Sequence, residues 1–266
     1  MSGYILCQTK KAERPYFIEN ISTNIYSVEE LCYYLYHNLY LIDKTIINEE
    51  LCIWIGEELN LPGLAAKIRQ FLGQDIHVDD VIYPVFKEIN YLTYEELKAL
   101  NSRLVLISKE SADMRQKQKG DSLMENGMYV NAIRVYQKLL ERTDLEEQRK
   151  GFVSDVWHNL GCAYSYLFQM EKAIECFYHA WEKTQSLKEL KAYLLSYRSI
   201  RSGAEYEKEL VRLDVTDEIK EDIQNALKQF AAVPEPALEE KDVDSTLAKI
   251  NAGYHSSTGS CYDKIL

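Results

Sequence analysis

The chain has 266 residues, and its 31 Lys and Arg stand against 42 Asp and Glu for a net charge of −11, which disfavours nucleic acid and anionic membrane as partners for the surface as a whole. Five Pro and eleven Gly are few for this length and fall mostly between apolar-periodic runs, so an all-helical fold is expected. The opening residues lack a charged region followed by an apolar run, and no window approaches the ~18 consecutive apolar residues of a membrane span, so neither a signal peptide nor a span is expected.

In chain order, Tyr4 to Thr9 and Pro15 to Ile18 have β character and are split by the charged Lys10 to Arg14. They read either as a small hairpin or as an extended arm packed on helices. Ser27 followed by Glu30 is a capping-box signature that opens a helix from Val28 to about Leu41, with Leu31, Leu35, Leu39 and Ile42 on its apolar stripe. Tyr33, Tyr36, His37 and Tyr40 form a second stripe on its other side. Such a helix is either central to a domain or exposes an aromatic surface on which a homodimer could form.

Leu51, Trp54, Ile55 and Leu59 make a further helix after Asn48, interrupted by Leu61-Pro62-Gly63. Leu64, Ile68, Phe71 and Leu72 make a short third one that stops at Gly73, and Val78 to Ile89 a fourth, which Pro84 is expected to bend or divide. No repeat runs through these stripes, and residues 1–92 read as a helical domain. Thr93 and Glu96 form the next capping box. With no Gly or Pro before Gly120, the stripe Leu97, Leu100, Leu104, Ile107 and Met114 predicts one long helix, or two with a break near Ser108 to Ala112, joining this domain to the next. Its basic residues interleave with acids and lack an aromatic platform, so they read as a solvated face, not a nucleic-acid patch.

From Ser154 to Gln185 the spacing becomes more specific. Trp157, Leu160, Gly161 and Tyr164 share one helical face, and Ala173, Phe177 and Ala180 give a second helix whose small, large, small stripe can accept the first. This stretch resembles the tetratricopeptide repeat, a helix-turn-helix unit of about 34 residues. All its marked positions are matched except the closing Pro, where Gln185 stands. A weaker copy from about Asp113 to Glu146 has Gly120, Leu123, Ala132, Tyr136 and Leu139 in place, with Gln116 at the early aromatic position. Ala132 and Ala173 are 41 residues apart, and the surplus falls in the polar Asp144 to Lys150.

Leu187 to Leu213, with Leu190, Tyr193, Leu194 and Tyr197 on one face, reads as a degenerate third repeat or cap. Ile219, Ile223, Leu227 and Phe230 then form a closing helix whose first turn carries Asp217 and Glu218. The array with its connecting and capping helices thus spans residues 93–230. Residues 231–266, opening with Pro234-Glu-Pro236, are expected to be an acidic, flexible tail in which Leu247, Ile250 and Tyr254 are spaced for one short amphipathic segment.

The chain has no G-x-x-x-x-G-K, G-x-S-x-G, H-E-x-x-H or G-x-G-x-x-G motif. Its six cysteines, Cys7, Cys32, Cys52, Cys162, Cys176 and Cys261, form no C-x-x-C pair, which argues against a zinc ribbon and for free thiols in a reducing cytoplasm. His158 and Cys162, four apart, would be within reach of each other, but only Asp155 offers an orienting carboxylate on that face. No enzyme activity, cofactor or metal is therefore expected.

The family resemblance implies a concave groove lined by Asp155, His158, Asn159, Cys162 and Tyr166 and, in the weaker copy, by Met114, Lys117, Asp121 and Met124. Arrays of this family that grip the C-terminal carboxylate of heat-shock chaperones are similar in Lys117 and Asn159. They differ at Asp121, where an acid repels that carboxylate, so a peptide with both polar and apolar anchors is expected instead. The function that follows is a non-enzymatic, cytoplasmic protein- or peptide-binding adaptor or scaffold. The alternatives are a homo-oligomeric structural protein assembled through the tyrosine-rich helix, and a peptide-responsive bacterial regulator, which would lack a basic recognition helix for DNA.

Overall fold

Helices make up nearly every element of the computed structural model, which describes residues 9–73, 78–141, 149–231 and 243–258. It divides into two units, the first built on residues up to Asn131 and the second running from Ala132 to Tyr254.

The first unit opens on a two-stranded antiparallel sheet, β1 (Tyr16–Ile18) with β2 (Thr23–Ile25), in register Tyr16↔Ile25 and Ile18↔Thr23. A small hairpin is therefore present, with Thr23–Ile25 as a partner of the Pro15 to Ile18 run; residues 4–8 of the earlier run lie outside the described residues. Ser22 makes the reversal possible by taking a left-handed φ of 48°. α1 (Val28–His37) has both bonds of the Ser27/Glu30 capping box. It ends short of Leu41 because the Asn38 side chain donates to the Tyr34 carbonyl at 3.1 Å, and Leu39–Leu41 continues as one 3₁₀ turn.

α2 (Glu49–Ile53) runs on into a π-turn over Trp54–Glu58. Pro62 opens α3 (Pro62–Arg69) at its first turn, where its missing N–H costs nothing. α4 (Val78–Glu88) is not divided by Pro84; Val81, Ile82, Val85 and Phe86 bury one face on both sides of it. The Thr93 to Lys119 run resolves into two helices, α5 (Tyr94–Lys109) and α6 (Ala112–Glu125), with Ser111 capping the second. Polar bonds of long reach tie this unit together. Tyr16 donates to the Ile46 carbonyl at 2.9 Å and the Trp54 indole to the Arg14 carbonyl at 2.8 Å. Tyr40 donates to Glu110 at 3.0 Å, and Asn126 to Asn38 at 2.8 Å.

α7 (Tyr129–Leu140) begins at the boundary between the units. The second unit continues through α8 (Lys150–Tyr166), α9 (Met170–Thr184), α10 (Leu187–Ile200), α11 (Gly203–Arg212), α12 (Asp217–Ala231) and the start of α13 (Val243–Thr258). Each helix from α8 to α10 packs on the next, and α10 also meets α11 and α12. The Leu187 to Leu213 run is two helices because Ser202 starts a fresh capping box with Glu205. Tyr193 donates to Glu209, fastening α11 to α10, and Arg212 bonds the same carboxylate from within α11. Residues 243–258, around the expected amphipathic segment, form a helix of 16 residues that exposes Leu247 and Ile250. Among the described residues, no helix is long and apolar enough to cross a membrane.

Candidate functional site

The α8–α9 pair is built around a contact that only glycine allows. A Cβ on Gly161 would lie 2.8 Å from the Phe177 ring, so the absence of a side chain lets that ring seat directly on the α8 backbone. Leu160, Ala173, Phe177 and Ala180 are buried around it, and the Ser154 hydroxyl donates to the Ala180 carbonyl at 2.9 Å across the hairpin. The turn between the helices places Phe168 in a left-handed conformation at φ 56° with its side chain exposed.

On the far side of α8 lie the residues expected to line a groove. Asp155 and Tyr166 are exposed at its two ends, while His158, Asn159 and Cys162 are half-buried between them. His158 is not free: its Nδ1 lies 2.6 Å from Oε2 of the buried Glu189, and its ring meets Phe177 edge-on at 5.3 Å. Burial pushes the Cys162 thiol above its ordinary pKa, with Lys188 partly opposing this, so the group stays a thiol at neutral pH.

Glu189 escaped the sequence reading, although Ser186 and Glu189 have the spacing of a capping box. Three other helix starts close both bonds of such a box: Ser27 with Glu30, Thr93 with Glu96 and Ser202 with Glu205. At α10 only the first forms, with the Glu189 amide donating to Ser186 at 3.3 Å. The carboxylate turns instead to His158, with Lys188 at 3.3 Å on its other oxygen, which fastens α10 to α8.

The four residues expected from the weaker copy lie on α6 in the first unit. Met114, Lys117, Asp121 and Met124 are half-buried, and Lys117 is tied to Asp121 one turn on at 2.7 Å, which occupies its ammonium. The tyrosine stripe of α1 splits. Tyr33 is exposed and lies on His37 at 4.4 Å between ring centres. Tyr36 packs against Phe86 with the Arg103 guanidinium over its ring, and the Tyr40 hydroxyl, pushed up to about 12 by burial and by Glu110, bonds inward.

A further feature lies on the other side of α8. Residues of α7, α8 and α9 enclose an open cavity of about 540 Å³. Trp157 stands in its wall against His179 at 4.7 Å, and Gln137 reaches across from α7 to donate to the Tyr164 hydroxyl at 2.9 Å.

Compared with known families, residues 154–182 match the model of the tetratricopeptide repeat. The α8–α9 hairpin is a tetratricopeptide repeat. The match spans the glycine contact, the turn and both apolar stripes, and a repeat of this kind points in general to protein–protein interaction. No curated protein and no solved structure matches the chain.

Proposed function

We propose that the chain is a non-enzymatic adaptor that binds a protein or peptide segment along the α8 face of its tetratricopeptide repeat. The observation that carries this reading is the two-sided character of α8: Leu160, Gly161 and Tyr164 are buried, while Asp155, His158, Asn159, Cys162 and Tyr166 on the other side stay half-buried to exposed. That strip is about 16 Å long at ~1.5 Å rise per residue. It matches roughly five residues of an extended peptide at ~3.3 Å each.

Its lining of carboxylate, amide, imidazole and phenol suits a ligand with polar and apolar anchors. A half-buried thiol at Cys162 whose pKa is raised by desolvation, and an imidazole committed to Glu189, favour binding over nucleophilic chemistry. The net charge of −11 favours a protein partner over nucleic acid or an anionic membrane, and free thiols at Cys32, Cys52 and Cys176 suit the cytoplasm.

The test is selection of a random heptapeptide phage library on the full chain and on an Asp155→Ala, Asn159→Ala, Tyr166→Ala variant, which leaves the His158–Glu189 bond in place. A peptide consensus enriched by the parent and lost by the variant, at unchanged helicity by circular dichroism, is the expected result. The same consensus on both proteins overturns the assignment.

A further inference from the structure

We infer that the opposite side of α8 is a second binding site, shaped to take the arginine side chain of a basic peptide. At ~100° per residue, Trp157, Leu160 and Tyr164 point about half a turn away from His158, Asn159 and Cys162, so the two faces are separate surfaces of one helix. The cavity they border, about 540 Å³, lies in the size range of ligand pockets, ~300–1,000 Å³.

Its chemistry selects a cation with an apolar stem. Leu140, Leu160 and Cys176 supply the apolar lining, and the Trp157–His179 pair supplies aromatic surface. Glu141 and Glu175, both exposed on the lining, make no ion pair among the described residues. Against these two carboxylates the lining holds one ammonium, Lys172, which already sits 5.2 Å above the Tyr164 ring and shows that the surroundings accept a cation over an aromatic face. An anionic ligand would meet a net negative rim. A guanidinium fits better than an ammonium because its plane stacks on indole while its fork of N–H groups addresses carboxylates.

The site is tested on the full ¹⁵N-labelled chain by following the indole N–H of Trp157, identified by its disappearance in Trp157→Phe. The probe is acetyl-Gly-Gly-Arg-Gly-Gly-amide, with the citrulline peptide as its neutral isostere. A saturable shift with the arginine peptide is expected, weakened at least tenfold for citrulline and at least tenfold in a Glu141→Gln, Glu175→Gln double variant. Both substitutions are on exposed side chains and leave the core untouched. Equal binding of the citrulline peptide, or unchanged affinity in the double variant, overturns the proposal. The Asp155→Ala, Asn159→Ala, Tyr166→Ala protein should bind the arginine peptide as the parent does; loss there would place the ligand on the other face and overturn it too. A failed phage selection with this response intact would count against the adaptor groove alone.

Discussion

The two units are held by contacts of different reach. In the first, several side-chain bonds link residues 30, 40, 70 and 88 apart, Tyr16 to Ile46, Arg14 to Trp54, Tyr40 to Glu110, and Asn38 to Asn126, beside shorter ones such as Glu49 to Arg69, 20 apart. Among the described residues of the second, the side-chain bonds between helices span 16 to 31 residues and join helices one or two places apart in the order: Tyr193 to Glu209, Ser154 to Ala180, Gln137 to Tyr164, and His158 to Glu189. A unit whose helices each pack on the next can be specified by a short spacing rule. One closed by distant partners is specified by individual pairs that leave no period in the chain.

The sharpest way to probe that contrast is to remove the side chain at the centre of the local packing. Phe177→Ala should cost about 3–5 kcal/mol, the range for truncating a buried aromatic residue, read from urea unfolding, with amide exchange accelerated first in α8 and α9. In the first unit, Trp54→Phe keeps most of the apolar bulk but strands the Arg14 carbonyl that now accepts at 2.8 Å. A loss of about 1–3 kcal/mol is expected. If this proved neutral, the long-reach polar bond would not be what anchors the N-terminal hairpin, and the contrast between the units would weaken.

The smallest effect belongs to Gly161→Ala. The helix gains about 1 kcal/mol in propensity, while a methyl 2.8 Å from the Phe177 ring forces an overpacked core at a cost of about 1–3 kcal/mol. The net expectation is a loss of about 0–2 kcal/mol. A gain in stability would mean that the ring can move aside, and that the glycine is not what sets the distance between the two helices.

The legibility of the sequence follows the same division. The α8–α9 hairpin could be read because its partners recur at three and four residues on each helix, and the capping boxes of α1 and α5 because both members lie within one turn. β2 was missed because Thr23–Ile25 is three residues long, with two exposed side chains and no alternation to see. The inward half of the tyrosine stripe could not be told from the outward half, since Tyr40 owes its placement to Glu110, 70 residues on. At the candidate groove, the family resemblance pointed to the residues of α8 that its packing stripe leaves free. It could not show that Glu189 leaves its own helix start to hold His158, because the box pattern is the same whether or not the carboxylate closes it.

Gln185, the residue standing where the repeat pattern closes with Pro, has a consequence for anyone who would splice this module. It ends α9 with φ 53° and donates its N–H to Trp181 at 2.7 Å, and Ser186 begins capping α10 at the next position. Proline, held near φ −65° and without that N–H, cannot serve there. An idealised consensus cassette dropped in for residues 154–185 would therefore send the following helix off along a different heading, and interchangeability with generic units stops at this one joint.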